Sequence, residues 1–426
     1  MPSPRARMLI LAASLLIVLS GCQPAGVQDL GSGIPEAVGV SSERLERLDV
    51  AMQGYIDDER LSGAVVFVAR KGQVVYHKAF GERDRESDSA MQNDSIFRIA
   101  SQSKAVVSAG IMALQEQGKL LITDPLAKYF PEFTETSVAV RNDEGGYEVV
   151  PGRRPIVLRD LLTHTAGISY GQGPAKDRWA EAGIQGWYFA DRSEPVGDTV
   201  AKMGALPFDA QPGERWVYGY NTDILGAVAE RVSGRPLDEF LRDTILDPLG
   251  MNDTHFYLPE SKVDRLATVY STSESGLERA PDPGHMVGQG QYVKGPRVSF
   301  SGGAGLVSTA SDYARFLQMM LNGGTLNGRR ILSRKTVELM TVDHLHGIEF
   351  RPGQGFGLGF YVIEEVGTRG VPGTAGEFGW GGAYHSTYWV DPAEELVVVY
   401  LTQLIPAGRI DDHSKLRTLV YQALSD

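Results

Sequence analysis

The strand-like stretches of this chain lie near its two ends, and that placement restricts the fold more than any other feature. Residues 64–69 and 73–80 are rich in β-branched and aromatic side chains and are joined by Arg70-Lys71-Gly72, a hairpin signal. Residues 386–390 and 395–402 repeat the pattern around Asp391-Pro392. A lone hairpin is marginal in water and needs further strands or a packed helix. The two pairs therefore predict one antiparallel sheet assembled from both ends of the chain. Helices flank the pairs. One starts near Ser42, its expected N-cap, and carries Leu45, Leu48, Met52, Tyr55 and Ile56 on one stripe. The other covers residues 411–424 through Leu416, Leu419, Val420 and Leu424. The expected fold class is α/β of the α+β kind, a sheet flanked by terminal helices beside a mostly helical region. A single domain spans residues 42–426, its sheet region drawn from about 42–100 and 300–426 and its helical region from about 101–299.

The first residues carry an address. Arg5 and Arg7 precede an apolar run from Met8 to Leu19 that meets Leu19-Ser20-Gly21-Cys22. A charged start, a short apolar stretch and small residues describe a secretory signal over residues 1–21. The run is too short for a membrane span, which takes about 20 apolar residues. Leu-Ser-Gly-Cys resembles a bacterial lipobox, which implies lipidation at Cys22 and an exported protein anchored on the periplasmic side, at the outer membrane. Residues 22–41 then form a tether. Cys22 is the only cysteine among 426 residues, so no intramolecular disulfide is expected. A formal charge of −12 and the lack of a long Lys/Arg run argue against nucleic acid as a partner.

The middle of the chain reads as helices over residues 101–117, 158–164, 222–232, 237–246 and 311–321, the last capped by Ser311-Asp312. Residues 142–155 read as an inserted hairpin or loop. The first of these helices opens with Ser101-Gln102-Ser103-Lys104. Residues three apart share a helix face, so a hydroxyl and an amine are brought together there. A serine needs an adjacent base to act as a nucleophile, and a partly buried lysine can take part. The helix start adds backbone N–H groups where an oxyanion would develop.

Ser101-x-x-Lys104 resembles the nucleophile motif of the penicillin-recognising serine hydrolases, and four further segments agree with it in order. Leu161-Leu162-Thr163-His164-Thr165-Ala166-Gly167 is similar to a segment of the class C β-lactamase-like branch. Pro212-Gly213-Glu214-Arg215-Trp216-Val217-Tyr218 looks like that branch's approach to its catalytic tyrosine. Residues 302–309 resemble the segment before its last helices, and Trp380-Gly381-Gly382-Ala383 stands in the place of the third motif. The resemblance implies Ser101 as nucleophile, Lys104 and Tyr218 as the proton-accepting pair, and an oxyanion hole from the N–H groups of Ser101 and Ala383. It departs in two places. Tyr218-Gly219-Tyr220 stands where Tyr-x-Asn is usual, with Asn221 one place late and Tyr220 the alternative tyrosine. Trp380-Gly381-Gly382 replaces Lys-Thr-Gly, and this resembles the family VIII carboxylesterases. On that resemblance Trp380, Gly381, Gly382 and Tyr220 are expected to bind substrate, with small esters favoured over β-lactams.

Other motifs compete for attention. Gly167-Ile168-Ser169-Tyr170-Gly171 matches the nucleophile elbow of α/β-hydrolases, but that elbow needs a preceding strand, and residues 158–164 read as a helix. His164 reads as a hydrogen-bonding residue, and His344-x-His346 as a solvent-exposed loop. Trp187, Tyr188 and Phe189 read equally well as pocket lining or as core. No cofactor and no metal are expected; the partner is a small ester or amide. The function expected is a Ser-Lys-Tyr carboxylesterase. A β-lactamase or D-amino-acid-specific peptidase is the alternative, and an acyl-accepting sensor that does not turn over is the second.

Overall fold

The computed structural model describes residues 30–426, so Cys22 and the expected signal segment lie outside the described residues. Eight strands run through one sheet: β1 (Gly31–Ser32), β2 (Gly63–Arg70), β3 (Gln73–Asp84), β4 (Gln354–Phe356), β5 (Tyr361–Ile363), β6 (Phe378–Gly382), β7 (Ser386–Asp391) and β8 (Leu396–Thr402). Their order is β1-β3-β2-β8-β7-β6-β5-β4, with Ser89–Ala90 added to β3. The β1–β3 pair is parallel and the others are antiparallel. Lys71 and Gly72 both take positive φ, 51° and 72°, which suits the tight turn between β2 and β3. The ends of the chain meet at the β2–β8 seam, where Val68 faces Val398 and Val66 faces Tyr400.

Five helices cover the sheet or carry the site: α1 (Ser42–Asp57), α2 (Ser103–Glu116), α3 (Asn221–Ser233), α4 (Ala310–Leu321) and α5 (Asp412–Tyr421). β2 is buried along its whole length because each face of the sheet is covered. Ala64, Val66 and Val68 pack with Leu396, Val398 and Tyr400 against Leu45, Leu48 and Met52 of α1 and Leu416 and Val420 of α5. Val65, Phe67 and Ala69 face the larger core, which holds the apolar faces of α2, α3 and α4. Burying one such Val or Leu contributes about 1.5–3 kcal/mol, so β2 reads as an unbroken apolar run and not as an alternating one.

Two caps differ from expectation. Ser41, not Ser42, caps α1: its Oγ accepts from the Arg44 N–H at 3.2 Å, while Ser42 Oγ donates to Glu36. Thr309, not Ser311, caps α4 and accepts from the Asp312 N–H at 3.1 Å. Both capping residues have extended backbone, which a cap requires and a helix interior forbids. The expected insertion is a hairpin, Ser137–Arg141 paired with Tyr147–Pro151. Among the described residues no helix is long and apolar enough to cross a membrane.

A buried ionic cluster ties β6 to α5. Glu377, with no exposed surface, immediately precedes β6. Its carboxylate accepts from Tyr361 Oη at 3.0 Å, Arg369 Nη1 at 3.0 Å, Tyr421 Oη at 3.0 Å and Arg417 Nη1 at 2.7 Å, and also from Arg417 Nη2. Burial disfavours the Arg417 charge, but these bonds hold its guanidinium above the usual range. The opposite chain ends are stitched nearby. Ser41 N–H donates to Ala423 O at 2.8 Å, Ser425 N–H to Gly39 O at 3.0 Å, and Arg70 pairs with Asp426 at 2.6 Å.

Candidate active site

Ser101 lies in a 3-10 turn, Ala100–Gln102, that leads directly into α2. The turn is pinned on both sides. Phe97–Arg98 pairs with Val307–Ser308, Leu306 N–H donates to Ser103 Oγ at 3.0 Å, and Tyr313 Oη donates to Gln102 O at 2.9 Å. Ala100 holds φ +42°, a left-handed conformation that costs an L-residue about 1–2 kcal/mol. The surrounding bonds hold it there, and such strain is typical of backbone that must aim one side chain.

Lys104 follows one helical turn later and is 2% exposed. Its ammonium donates to Ser101 Oγ at 3.3 Å, Tyr170 Oη at 3.1 Å and Gly303 O at 2.7 Å, which occupies all three of its hydrogens. The Tyr218 ring lies beneath the same nitrogen, 4.6 Å from centroid to Nζ. Tyr218 Oη accepts from Trp380 Nε1 at 3.1 Å, so the last strand of the site holds the phenol in place. The structure thus brings Ser101, Lys104, Tyr218 and Trp380 to one locus.

β6 closes the other side. Gly379 and Phe378 pair with β5, but β5 goes no further, so among the described residues the edge from Trp380 to Gly382 has no strand partner on that side. Gly382 lies against the Ile99 carbonyl. A Cβ there would come within 2.5 Å of Ile99 O, so only glycine lets β6 meet the turn that carries Ser101. Among the described residues no acceptor takes the Ala383 N–H.

Three residues that the sequence did not single out complete the site. Tyr170 supplies an acceptor for Lys104. Burial first, then the nearness of Tyr218 and Asp223, pushes its phenol well above the usual range, so it stays protonated. Gly303 lends its carbonyl to Lys104, and its own N–H donates to Asp223 Oδ1 at 3.0 Å. Asp223 is wholly buried in α3 and also accepts from Ser301 Oγ at 2.6 Å. Burial raises its carboxyl, while the Lys104 charge and these bonds work the other way. A Cβ on Gly303 would come within 2.4 Å of Asp223 Oδ2, so the pairing of this glycine with this aspartate is steric as well as electrostatic.

Tyr220 is corrected by the structure. It has no exposed surface, donates to Gly186 O at 2.7 Å, stacks on Trp179 and meets the edge of Tyr170, so it supports the site from behind and does not line it. Asn221 is also fully buried, with its amide on His164 Nδ1 at 2.8 Å and on the carbonyls of Ile168 and Val217. His164 is buried, and burial first, then Lys104, pushes its imidazole well below the usual range, so it stays neutral. Ser169 lies in the loop after Leu158–Leu162 with no strand before it and accepts from Gly171 N–H at 3.2 Å. Tyr188 and Phe189 are core; Trp187 is partly exposed against Tyr384.

A nucleophile turn leading into a helix, a buried ammonium over a phenol and a facing strand edge agree with what comparison with known proteins finds. The β-lactamase family profile matches residues 48–420. The chain belongs to the β-lactamase family. An uncharacterized protein of Mycobacterium tuberculosis is 36% identical over 388 residues, covering 86% of this chain and 92% of that protein. Esterase EstB of Burkholderia gladioli is 32% identical over 380 residues, covering 85% of this chain and 91% of the esterase. Among solved structures, EstCE1, a hydrolase with promiscuous acyltransferase activity, superposes with a TM-score of 0.76 at 29% identity, covering 89% of this chain and 98% of its own. The fold is that of this β-lactamase/transpeptidase-like group, and the protein is a hydrolase.

Proposed function

We propose that this β-lactamase-family hydrolase cleaves small carboxylic esters through an acyl-enzyme on Ser101. The observation that carries the reading is the Lys104 ammonium, which bonds Ser101 Oγ and lies over the Tyr218 ring. The similarity to EstB and EstCE1 and the uncharged Trp380-Gly381-Gly382 edge support esters as the substrate class.

Ser101 Oγ attacks the ester carbonyl, and its proton passes to Tyr218, which reacts as the phenolate and becomes the neutral phenol. Lys104, bonded to Ser101 Oγ, Tyr170 Oη and the Gly303 carbonyl, orients the nucleophile. Tyr218 is assigned as the acceptor because its oxygen is held in place by Trp380 beside the Lys104 nitrogen. The oxyanion faces the N–H groups of Ser101 and Ala383, donors aimed at charge that develops in the transition state. Tyr218 returns the proton to the leaving alkoxide. A water then enters, loses a proton to the Tyr218 phenolate and attacks the acyl carbonyl; Tyr218 returns that proton to the departing Ser101 Oγ, and the acid is released. Asp223 acts through Gly303 and Lys104 as a positioning residue.

The test is release of 4-nitrophenol from a short-chain ester beside turnover of a chromogenic cephalosporin. Ester hydrolysis that falls by at least about 10³-fold in Ser101→Ala supports the reading, with Ser169→Ala retained as an active control. Turnover that survives Ser101→Ala, or that dies with Ser169→Ala, refutes it. Efficient cephalosporin hydrolysis beside a poor ester rate would move the protein to the β-lactamase side of its family. The same reading includes export and lipidation at Cys22, supported by the Leu19-Ser20-Gly21-Cys22 string.

A further inference from the structure

We propose that Arg351 is an anion anchor at the mouth of the Ser101 cleft, and that the preferred substrates are esters with a carboxylate on a flexible acyl chain. The inference rests on the esterase reading and narrows it. Arg351 enters a tight turn before β4, closed by Gln354 N–H on its carbonyl at 3.0 Å. Its guanidinium carbon lies 5.0 Å from the Trp380 ring centroid and 4.9 Å from that of Phe350. Trp380 is the residue whose indole N–H holds Tyr218 Oη. One indole therefore separates this cation from the phenol of the site.

The guanidinium has no assigned work inside the protein. Among the described residues no carboxylate pairs with it, and none of its N–H groups makes a hydrogen bond. Arg265, Arg279 and Arg417, by contrast, are paired with Asp253, with Asp84 and Glu86, and with Glu377. Stacking on Phe350 and Trp380 covers part of the guanidinium and pushes its charge down, while the residue as a whole stays exposed and open to an incoming anion. A guanidinium presents paired donors matched to a carboxylate. The chain as a whole is anionic, with a formal charge of −12, so an anionic substrate meets general repulsion and needs a local cation to be held. Lys104, the other cation of the site, is buried and saturated. Trp216 and Phe350, both partly exposed, pack against Trp380 and offer an apolar wall for the chain between the carboxylate and the ester.

Mono-4-nitrophenyl pimelate and its methyl-capped diester differ only in the distal carboxylate, so the ratio of their kcat/KM isolates that charge. In the wild type the ratio should favour the acid by about tenfold, in the range of a partly exposed guanidinium–carboxylate pair, and 0.5 M NaCl should reduce it by screening. Arg351→Gln should bring the ratio near one, Arg351→Glu should invert it, and Arg351→Lys should keep part of it. Because the readout is a ratio, a general loss caused by loosening Trp380 cancels. A wild-type ratio near one, or a ratio unchanged in Arg351→Gln, overturns the proposal. Failure of the esterase reading is seen separately, as absent turnover of the diester or as turnover that survives Ser101→Ala.

Discussion

Replacing Glu377 by Gln tests how the site strand is held. The carboxylate has no exposed surface and receives five hydrogen bonds, three of them from the guanidinium groups of Arg369 and Arg417. Gln keeps the shape but removes the charge and turns one oxygen into a donor that faces Arg417. Breaking a buried ion pair by removing one partner costs about 3–5 kcal/mol. Arg369 is 12% exposed and Arg417 only 7%, so Arg369 can turn toward water while Arg417 cannot. One stranded guanidinium sets the expectation near the low end, about 3 kcal/mol. Urea unfolding at neutral pH, followed by tryptophan fluorescence, reads the loss as a lower midpoint at unchanged slope. The pair Glu377→Leu with Arg417→Met should recover most of it, because the cost lies in the unmatched charge and not in lost packing. A loss under about 1 kcal/mol in Glu377→Gln, in the range of a surface ion pair, would refute the reasoning.

Tyr170→Phe removes one of three acceptors from Lys104 and should lower kcat by about tenfold with little change in KM, the scale of one hydrogen bond to a charged group; an unchanged kcat would remove Tyr170 from the site. Glu230 is raised to about 7 by burial, then by Asp238, against a bond from Leu237 N–H. Its folded value exceeds its unfolded one, so its contribution is present below about pH 4.5 and is lost as pH rises to about 7. Glu230→Gln should therefore raise the melting temperature at pH 8 and leave it nearly unchanged at pH 4.5; equal shifts at both would contradict the assignment. Cys22→Ala should move the protein from the membrane fraction to the soluble one on cell fractionation, and an unchanged distribution would remove the lipid anchor.

The features legible in the sequence are local ones. Ser101 and Lys104 declare themselves because a helix places residues three apart together, and the β2–β3 hairpin declares itself through Lys71-Gly72. Tyr170 and Asp223 reach Lys104 only through the tertiary fold, from a loop and from α3. Tyr170 stands one residue from Ser169, inside a string whose pattern points to the wrong serine. Asp223 leaves one trace, an acidic residue directly before Ile224 and Leu225 in an apolar stripe, and a buried carboxylate is more informative than a buried leucine. The cap of α1 is ambiguous because Ser41 and Ser42 are equivalent in sequence; only backbone angle separates them.

The stitching of residues 39–41 to residues 423–425 has a topological meaning. A fold in which the segment that opens α1 is bonded to the segment that follows α5 is close to a ring with one cut, and the cut can be moved. A short linker across Val40 and Leu424, with new termini at the exposed turn of residues 142–146, should yield a circular permutant that omits β1 but keeps β2 to β8 and the same Ser101 cleft. Any leash attached to the new amino terminus would then hold the catalyst by that turn, so its orientation toward the surface it is tied to becomes a property that can be chosen.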